Sequence, residues 1–162
     1  MPDRPTFRKV LVAVDGSRHA DLALAMAIAI CERDHARLTV LTVIPNIADS
    51  AALAYGAGVD PVALQGDADK GAATTMRAAL DAVPADQPVD SVTRRGHAGG
   101  EIVAQVKDGG HDAVILGARG LGRIGSMFGS VSQHVMHDAG VAVFIGHLPD
   151  ADQPDGDGKD DN

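Results

Sequence analysis

Residues 111–140 read HDAVILGARGLGRIGSMFGSVSQHVMHDAG and contain an apolar run, a glycine-rich connection and a helical pattern in succession. Residues 113–116 are short and apolar, which is typical of a strand buried on both faces of a parallel sheet. After the glycines, the spacing of Val131, Val135 and Ala139 predicts one apolar face of a helix. This stretch therefore predicts a strand–loop–helix unit of an α/β fold.

The same alternation runs through the whole chain. Valine-rich or β-branched runs predict strands, and alanine- and leucine-rich stretches with charged ends predict helices. The strands are predicted at 8–15, 37–44, 88–96, 113–116 and 141–148, the helices at 18–36, 62–83, 99–110 and 130–140, and a loop at 46–61. Strands alternating with helices indicate right-handed parallel crossovers and a sheet covered on both faces.

Composition limits the classes of partner. The chain has 162 residues, a net charge of −8 and 2% aromatic residues, so it lacks the basic and aromatic surface that binds nucleic acid. No apolar run approaches the roughly 20 residues of a membrane span. The single cysteine, Cys31, and the absence of a secretory signal predict a cytoplasmic protein with a buried, inert thiol. We expect one domain over residues 1–148 and an acidic, disordered tail over residues 149–162.

Two unusual stretches follow the first and fourth strands. In an open parallel sheet, ligands bind beyond the carboxyl ends of the strands, where the strand order reverses. With the order 3-2-1-4-5 that point lies between strands 1 and 4. The sequence AVDGS at 13–17 and the glycine-rich loop at 117–132 would meet there.

The residue types in the glycine-rich loop favour an anion. Glycines allow backbone N–H groups to approach a ligand, and the helix that begins near Ser130 adds the positive end of its dipole. The hydroxyls of Ser130 and Ser132 and the guanidinium groups of Arg119 and Arg123 could bind a polyphosphate. Valine at Gly117 is then expected to block the ligand while the protein still folds. The alternative is a plain connection in which Ser130 only caps its helix and both arginines face solvent.

Other site signatures are absent from the sequence. It contains no GxxxxGK[ST] and no GxSxG nucleophile motif, and its first strand is followed directly by DGSRHA rather than by GxGxxG. The pairs His134 with His137 and Cys31 with His35 are too small for a zinc site, which needs three or four ligands. Asp15 could cap the first helix, hold a cation through water or act as a base, so enzymatic activity stays open.

Several stretches resemble the universal stress protein family. They are KVLVAVDGS at 9–17, LTVI at 41–44, GHAGGEIVAQVKDGGHDAVILGARG at 96–120 and GSVSQHVMHDAGVAVFI at 129–145. The resemblance covers residues 7 to about 147. It implies a single three-layer α/β domain with a five-stranded parallel sheet, of the adenine-nucleotide alpha-hydrolase-like kind. In one branch of that family it also implies ATP binding, marked by the motif G-x2-G-x9-G-[ST].

The motif can be carried over position by position. Gly117 and Gly120 match its first two glycines and Gly129-Ser130 its last pair, although eight residues rather than nine separate Gly120 from Gly129. The adenine and ribose side would involve Ala13, Asp15 and Val43, and the glycines and hydroxyls would meet the phosphates. The implied nucleotide-binding residues are Ala13, Val14, Asp15, Val43, Leu116, Gly117, Arg119, Gly120, Gly129, Ser130, Val131 and Ser132.

The resemblance implies an ATP-binding stress-response or signalling module with slow or no hydrolysis, and it leaves open whether magnesium or manganese accompanies the ATP. Two alternatives remain: a nucleotide-free family member that acts through protein contacts, and a metal-assisted nucleotide phosphohydrolase with Asp15 as its base. We also expect a homodimer formed through strand 141–148, because an unpaired apolar edge strand tends to associate. A protein partner is expected but unknown, with neither nucleic acid nor membrane as a partner.

Overall fold

The computed structural model describes residues 6–47, 55–118 and 128–148. The predicted alternation of strands and helices is confirmed, with most ends one or two residues from those expected. The strands are β1 Lys9–Ala13, β2 Arg37–Ile44, β3 Val89–Arg95, β4 Ala113–Gly117 and β5 Ala142–Gly146; the helices are α1 Arg18–Asp34, α2 Pro61–Asp81, α3 Ala98–Asp108 and α4 Ser130–Asp138. The predicted loop at 46–61 is wrong at Tyr55 and Gly56, which are helical. The acidic tail at 149–162 lies outside the described residues.

All five strands are parallel, in the order β3-β2-β1-β4-β5 that the sequence predicted. The central strand β1 pairs with β2 up to Ala13↔Leu41 and with β4 up to Val12↔Ile115. The chain moves outward from β1 to β2 and β3, then returns to the other side of β1 for β4 and β5. The order therefore reverses between β1 and β4, where the sequence analysis placed the ligand.

Side chains alternate between two cores, one on each face of the sheet. Val10 and Val12 of β1 pack with α1 and α2, whereas Leu11 of β1 and Leu41 of β2 pack with α3 and α4. All four are fully buried, and burying one such side chain stabilises a fold by about 1.5–3 kcal/mol.

Among the described residues, no helix combines the length and apolar character that a membrane span requires.

Helix α1 has well-defined ends. The Oγ of Ser17 accepts a hydrogen bond from the N–H of Ala20, which makes Ser17 the N-cap, and the chain leaves the helix at His35 in the left-handed conformation. Cys31, near this end, is buried, and burial with the nearby Asp34 carboxylate raises the pKa of its thiol to about 12. The predicted burial of the thiol is therefore confirmed, and its raised pKa favours the protonated form, which is a poor nucleophile.

Candidate functional site

A cavity of about 510 Å³ lies at the carboxyl ends of the strands, at the point where the strand order reverses. Its walls come from the ends of β1, β2 and β4, the first turns of α3 and α4, and one side of α2. Ligand-binding clefts in open α/β sheets occupy this position because the loops diverge there. The volume lies in the range of ordinary small-molecule sites.

The β1 side of the cavity exposes part of the backbone of β2. The N–H of Val14 bonds the carbonyl of Leu41, and the described register pairs β1 with β2 no further. On the other side of β2, the N–H of Gly96 bonds the carbonyl of Ile44. Because alternate residues of a strand direct their backbone groups to opposite neighbours, Val43 directs its N–H and C=O to the β1 side, beyond the end of that pairing. This donor–acceptor pair borders the cavity.

Asp15 supports the turn that leads from β1 into α1. Its Oδ1 accepts a hydrogen bond of 3.0 Å from the N–H of Ser17, and Gly16 between them has a positive φ of 83°. Asp15 is exposed at the mouth of the cavity and is the one charged side chain among the described residues that line it. It therefore orders the start of α1, while Ser17 is the residue that caps the helix.

The first turn of α4 is fixed against the end of β4. The N–H of Gly129 donates to the carbonyl of Ala118 at 2.8 Å, and the hydroxyl of Ser132 donates to the carbonyl of Gly117 at 2.9 Å. These bonds hold the amino end of α4 at the cavity, where its first backbone N–H groups have no carbonyl within the helix to bond. In the ligand-free structure the Ser132 hydroxyl therefore donates to the protein backbone, a structural role that the sequence analysis did not predict.

Gly117 has a packing role that the sequence analysis missed. A Cβ at this position would lie 2.7 Å from the carbonyl carbon of His19 and 2.9 Å from the backbone N of Ala20. Real Cβ contacts are essentially never shorter than 3.0 Å. Glycine at 117 therefore lets the start of α1 lie directly against the end of β4. The expectation that valine here would leave the fold intact is wrong.

Helix α2 supplies a wall that sequence reasoning did not assign to the site. Ala68, Gly71, Ala72 and Thr75 line the cavity, and their spacing places them on one face of the helix. The signal available was the stripe of small residues at helical spacing, which leaves room between α2 and the end of β2.

The same wall faces a buried hydroxyl on β2. Thr42 is 4% exposed and lines the cavity, and its Oγ1 has no hydrogen-bond partner among the described residues. An unpaired buried hydroxyl costs a fold about 1–3 kcal/mol, so such groups are uncommon. The sequence analysis did not single out Thr42, since nothing local reveals an unpaired hydroxyl.

An ion pair joins α2 to β3 beside this wall. Arg95 donates two hydrogen bonds to the carboxylate of Asp69, at 2.8 and 3.0 Å, and the N–H groups of Arg95 and then Gln65 hold the pKa of Asp69 below its usual range. The side chain of Arg95 is exposed and that of Asp69 is partly buried, so the pair adds only a little stability to the contact between α2 and the sheet.

Most predicted nucleotide-binding residues lie on the cavity wall. Those that line it are Ala13, Val14, Asp15, Val43, Leu116, Gly117, Gly129, Ser130, Val131 and Ser132. The other two, Arg119 and Gly120, lie outside the described residues, as does Arg123.

The described part of the chain contains no group of three or more His, Cys, Asp or Glu side chains that could hold a metal ion. His134 and His137, which the sequence analysis considered as a pair, each contact Asp138 instead, at 3.5 and 2.6 Å.

The fold and cavity define a single-domain α/β protein with a cavity at the reversal point of its parallel sheet. A family model described as the universal stress protein family matches residues 6–146, and the chain belongs to that family. It is 32% identical over 140 residues to the universal stress protein in the QAH/OAS sulfhydrylase 3′ region of Thermus aquaticus, covering 86% of this chain and 98% of the relative.

Two solved structures share the fold. The universal stress protein from Archaeoglobus fulgidus in complex with dAMP superimposes with a TM-score of 0.64 at 18% identity, covering 87% of this chain and 98% of that one. A universal stress protein in complex with cAMP gives a TM-score of 0.57 at 23% identity, covering 88% of this chain and 98% of that one. The predicted family and fold are thus confirmed.

Proposed function

We propose that this protein binds an adenine nucleotide, ATP in particular, in the 510 Å³ cavity at the carboxyl ends of β1, β2 and β4. It acts as a stress-response or signalling module with slow or no hydrolysis. The observation that carries the proposal is that an exposed backbone edge and a helix amino end border one cavity. The backbone edge offers a hydrogen-bond donor and an acceptor to the base of a nucleotide, and the amino end of the helix offers N–H donors to its phosphate.

The phosphate end is assigned to the first turn of α4. Gly129, Ser130 and Val131 line the cavity, and the backbone N–H groups of this turn have no intrahelical acceptors. The positive end of the helix dipole adds to their attraction for an anion. The loop at 119–127, with Arg119 and Gly120, would complete the phosphate site according to the family motif.

The base end is assigned to Val43. Its C=O and N–H, directed past the end of β1, match the paired donor and acceptor on the Watson–Crick edge of adenine. Asp15, at the mouth between Val43 and α4, is then in position to accept a hydrogen bond from a ribose hydroxyl. Related proteins crystallised with dAMP and with cAMP support an adenine nucleotide as the ligand class.

The lining residues favour binding over turnover. Asp15 is the one acidic side chain among the described residues of the cavity, and one of its oxygens already accepts the N–H of Ser17. A hydrolase needs a base aligned on the attacking water. In this proposal, magnesium or manganese would enter the cavity bound to the phosphates of ATP and would neutralise part of their negative charge.

We also propose that the protein is a cytoplasmic homodimer and acts on a protein partner. Strand β5 is at one edge of the sheet, and Ala142, Val143, Phe144 and Ile145 are only half-buried. If strand 141–148 pairs with the same strand of a second copy, the backbone N–H and C=O groups along the open edge of β5 gain hydrogen-bond partners and these side chains are covered. Nucleotide-dependent changes at the cavity mouth would alter the surface that the partner meets.

Two measurements test the nucleotide proposal. Mass spectrometry of gently purified, then denatured, protein should release ATP or AMP, and isothermal titration should give heat with ATP but not with CTP. Ser130→Asp adds a negative charge at the exposed amino end of α4, which suits the helix but repels phosphate, so ATP should bind about tenfold or more weakly.

The matched control is Ser91→Asp, an exposed site on β3 outside the cavity, where ATP binding should not change. The proposal fails if no nucleotide co-purifies and millimolar ATP gives neither heat nor a thermal shift. The nucleotide-free alternative would then be the better account of the protein.

A further inference from the structure

We infer that the hydroxyl of Thr42 reads the base of the bound nucleotide, which makes Thr42 a specificity-determining residue. The inference rests on the proposed adenine-nucleotide function. Thr42 lines the cavity, is 4% exposed, and has no partner for its Oγ1 among the described residues. Because a buried hydroxyl without a partner is unfavourable, its retention at a ligand cavity indicates that the ligand supplies the missing partner.

The position of Thr42 assigns it to the base rather than to the phosphates. It lies on β2, two strands from β4, and parallel strands are about 4.8 Å apart. A phosphate at the start of α4, beside the end of β4, therefore lies about 10 Å from the Thr42 strand. A nucleotide with its phosphate at the start of α4 can span this distance and place its base beside Thr42.

Thr42 is also the chain neighbour of Val43. The backbone edge of Val43 lies in the plane of the sheet, and the Thr42 side chain stands on the α1 and α2 face, as that of Val40 does. Consecutive Cα atoms are about 3.8 Å apart, so one flat ring can meet both groups. Backbone groups contact the edge of the base, and the hydroxyl contacts a further ring nitrogen or exocyclic group.

The cavity wall around Thr42 is built mostly from small and apolar residues. It includes the small-residue face of α2, formed by Ala68, Gly71 and Ala72, and Ile44 is a further apolar neighbour on the wall. One staggered rotation of Thr42 about χ1 moves its hydroxyl to the position that its methyl group held, and in this way Oγ1 can turn to the ligand.

The test is Thr42→Val, which replaces the hydroxyl with a methyl group of nearly the same shape. The ligand-free variant should be more stable than wild type, with Tm higher by at least about 2 °C, because an unpaired buried hydroxyl has been removed. Its Kd for AMP by isothermal titration should rise about two- to tenfold, since the ligand loses one hydrogen bond. Thr42→Ser keeps the hydroxyl and should bind AMP within about twofold of wild type.

The matched control is Thr93→Val, on the neighbouring strand at the position paired with Thr42 but exposed. It should change neither Tm nor AMP affinity. The inference is overturned if Thr42→Val binds AMP as tightly as wild type, if the ligand-free variant is less stable, or if Thr93→Val reproduces both effects. Wild type that binds neither AMP nor ATP overturns the proposed function itself, and the base-reading role of Thr42 falls with it.

Discussion

Replacing Gly117 with alanine should destabilise the protein, although glycine-to-alanine substitutions often stabilise. Gly117 does not have a positive φ, so alanine can adopt its backbone conformation without strain. The obstacle is steric, because the new Cβ would lie 2.7–2.9 Å from backbone and Cβ atoms of His19 and Ala20. Two of these three are backbone atoms that no side-chain rotation can remove, so the start of α1 must move away from β4.

The magnitude follows from two opposing effects. Overpacking at a tight contact typically destabilises a protein by about 1–3 kcal/mol. Reduced freedom of the unfolded chain offsets about 0.4–1 kcal/mol of that. The net loss is about 1–2 kcal/mol, which corresponds to a Tm lower by about 2–8 °C for a chain of this length.

Urea unfolding followed by circular dichroism measures this loss. Gly66→Ala is the matched control, because a Cβ at Gly66, inside α2, meets nothing within 4 Å. That variant should gain about 0.5–1 kcal/mol from helix propensity. If Gly117→Ala proved as stable as wild type, the close contact between α1 and β4 could not be the reason for glycine at this position.

Two further predictions concern hydrogen bonds in the fold. Ser132→Ala removes the donor to the carbonyl of Gly117 and should lower the free energy of unfolding by about 1–2 kcal/mol, measured in urea; an unchanged midpoint would contradict that role. His111 is buried between the carbonyl of Gln105 and the hydroxyl of Thr39, and burial holds its pKa below the usual value. As the pH falls, the unfolded chain therefore takes up the proton on His111 before the folded protein does. The stability that neutral His111 contributes is complete above about pH 6.5 and is lost as the pH falls below that value. His111→Gln should flatten the dependence of the urea midpoint on pH between 5 and 6.5, and an equally steep dependence in the variant would refute the assignment.

Local pattern was sufficient for the order of elements along the chain, whereas the position of the cavity also required the strand order 3-2-1-4-5, which no local pattern establishes. The apolar runs at β1 and β4 and the helix periodicity at α4 are properties of neighbouring residues, and the strand order places their loops together. The resemblance to the family added residues at both ends of the cavity, including Val43 on β2.

The remaining features depend on contacts between distant parts of the chain. Gly117 is explained by α1, about a hundred residues earlier, and the Ser132 hydroxyl by the end of β4. The unpaired state of Thr42 depends on everything that surrounds it, including the small face of α2. No motif in one short stretch records such relations, so the sequence analysis assigned the two glycine-loop residues to the ligand alone and passed over Thr42.

A crystal structure of the protein grown with excess ATP tests the central claim most directly. The account predicts phosphate oxygens within about 3 Å of the backbone N–H groups at the start of α4, with the adenine edge against the backbone of Val43. A nucleotide bound elsewhere on the surface, or a cavity filled by the protein's own side chains at saturating ATP, would contradict it.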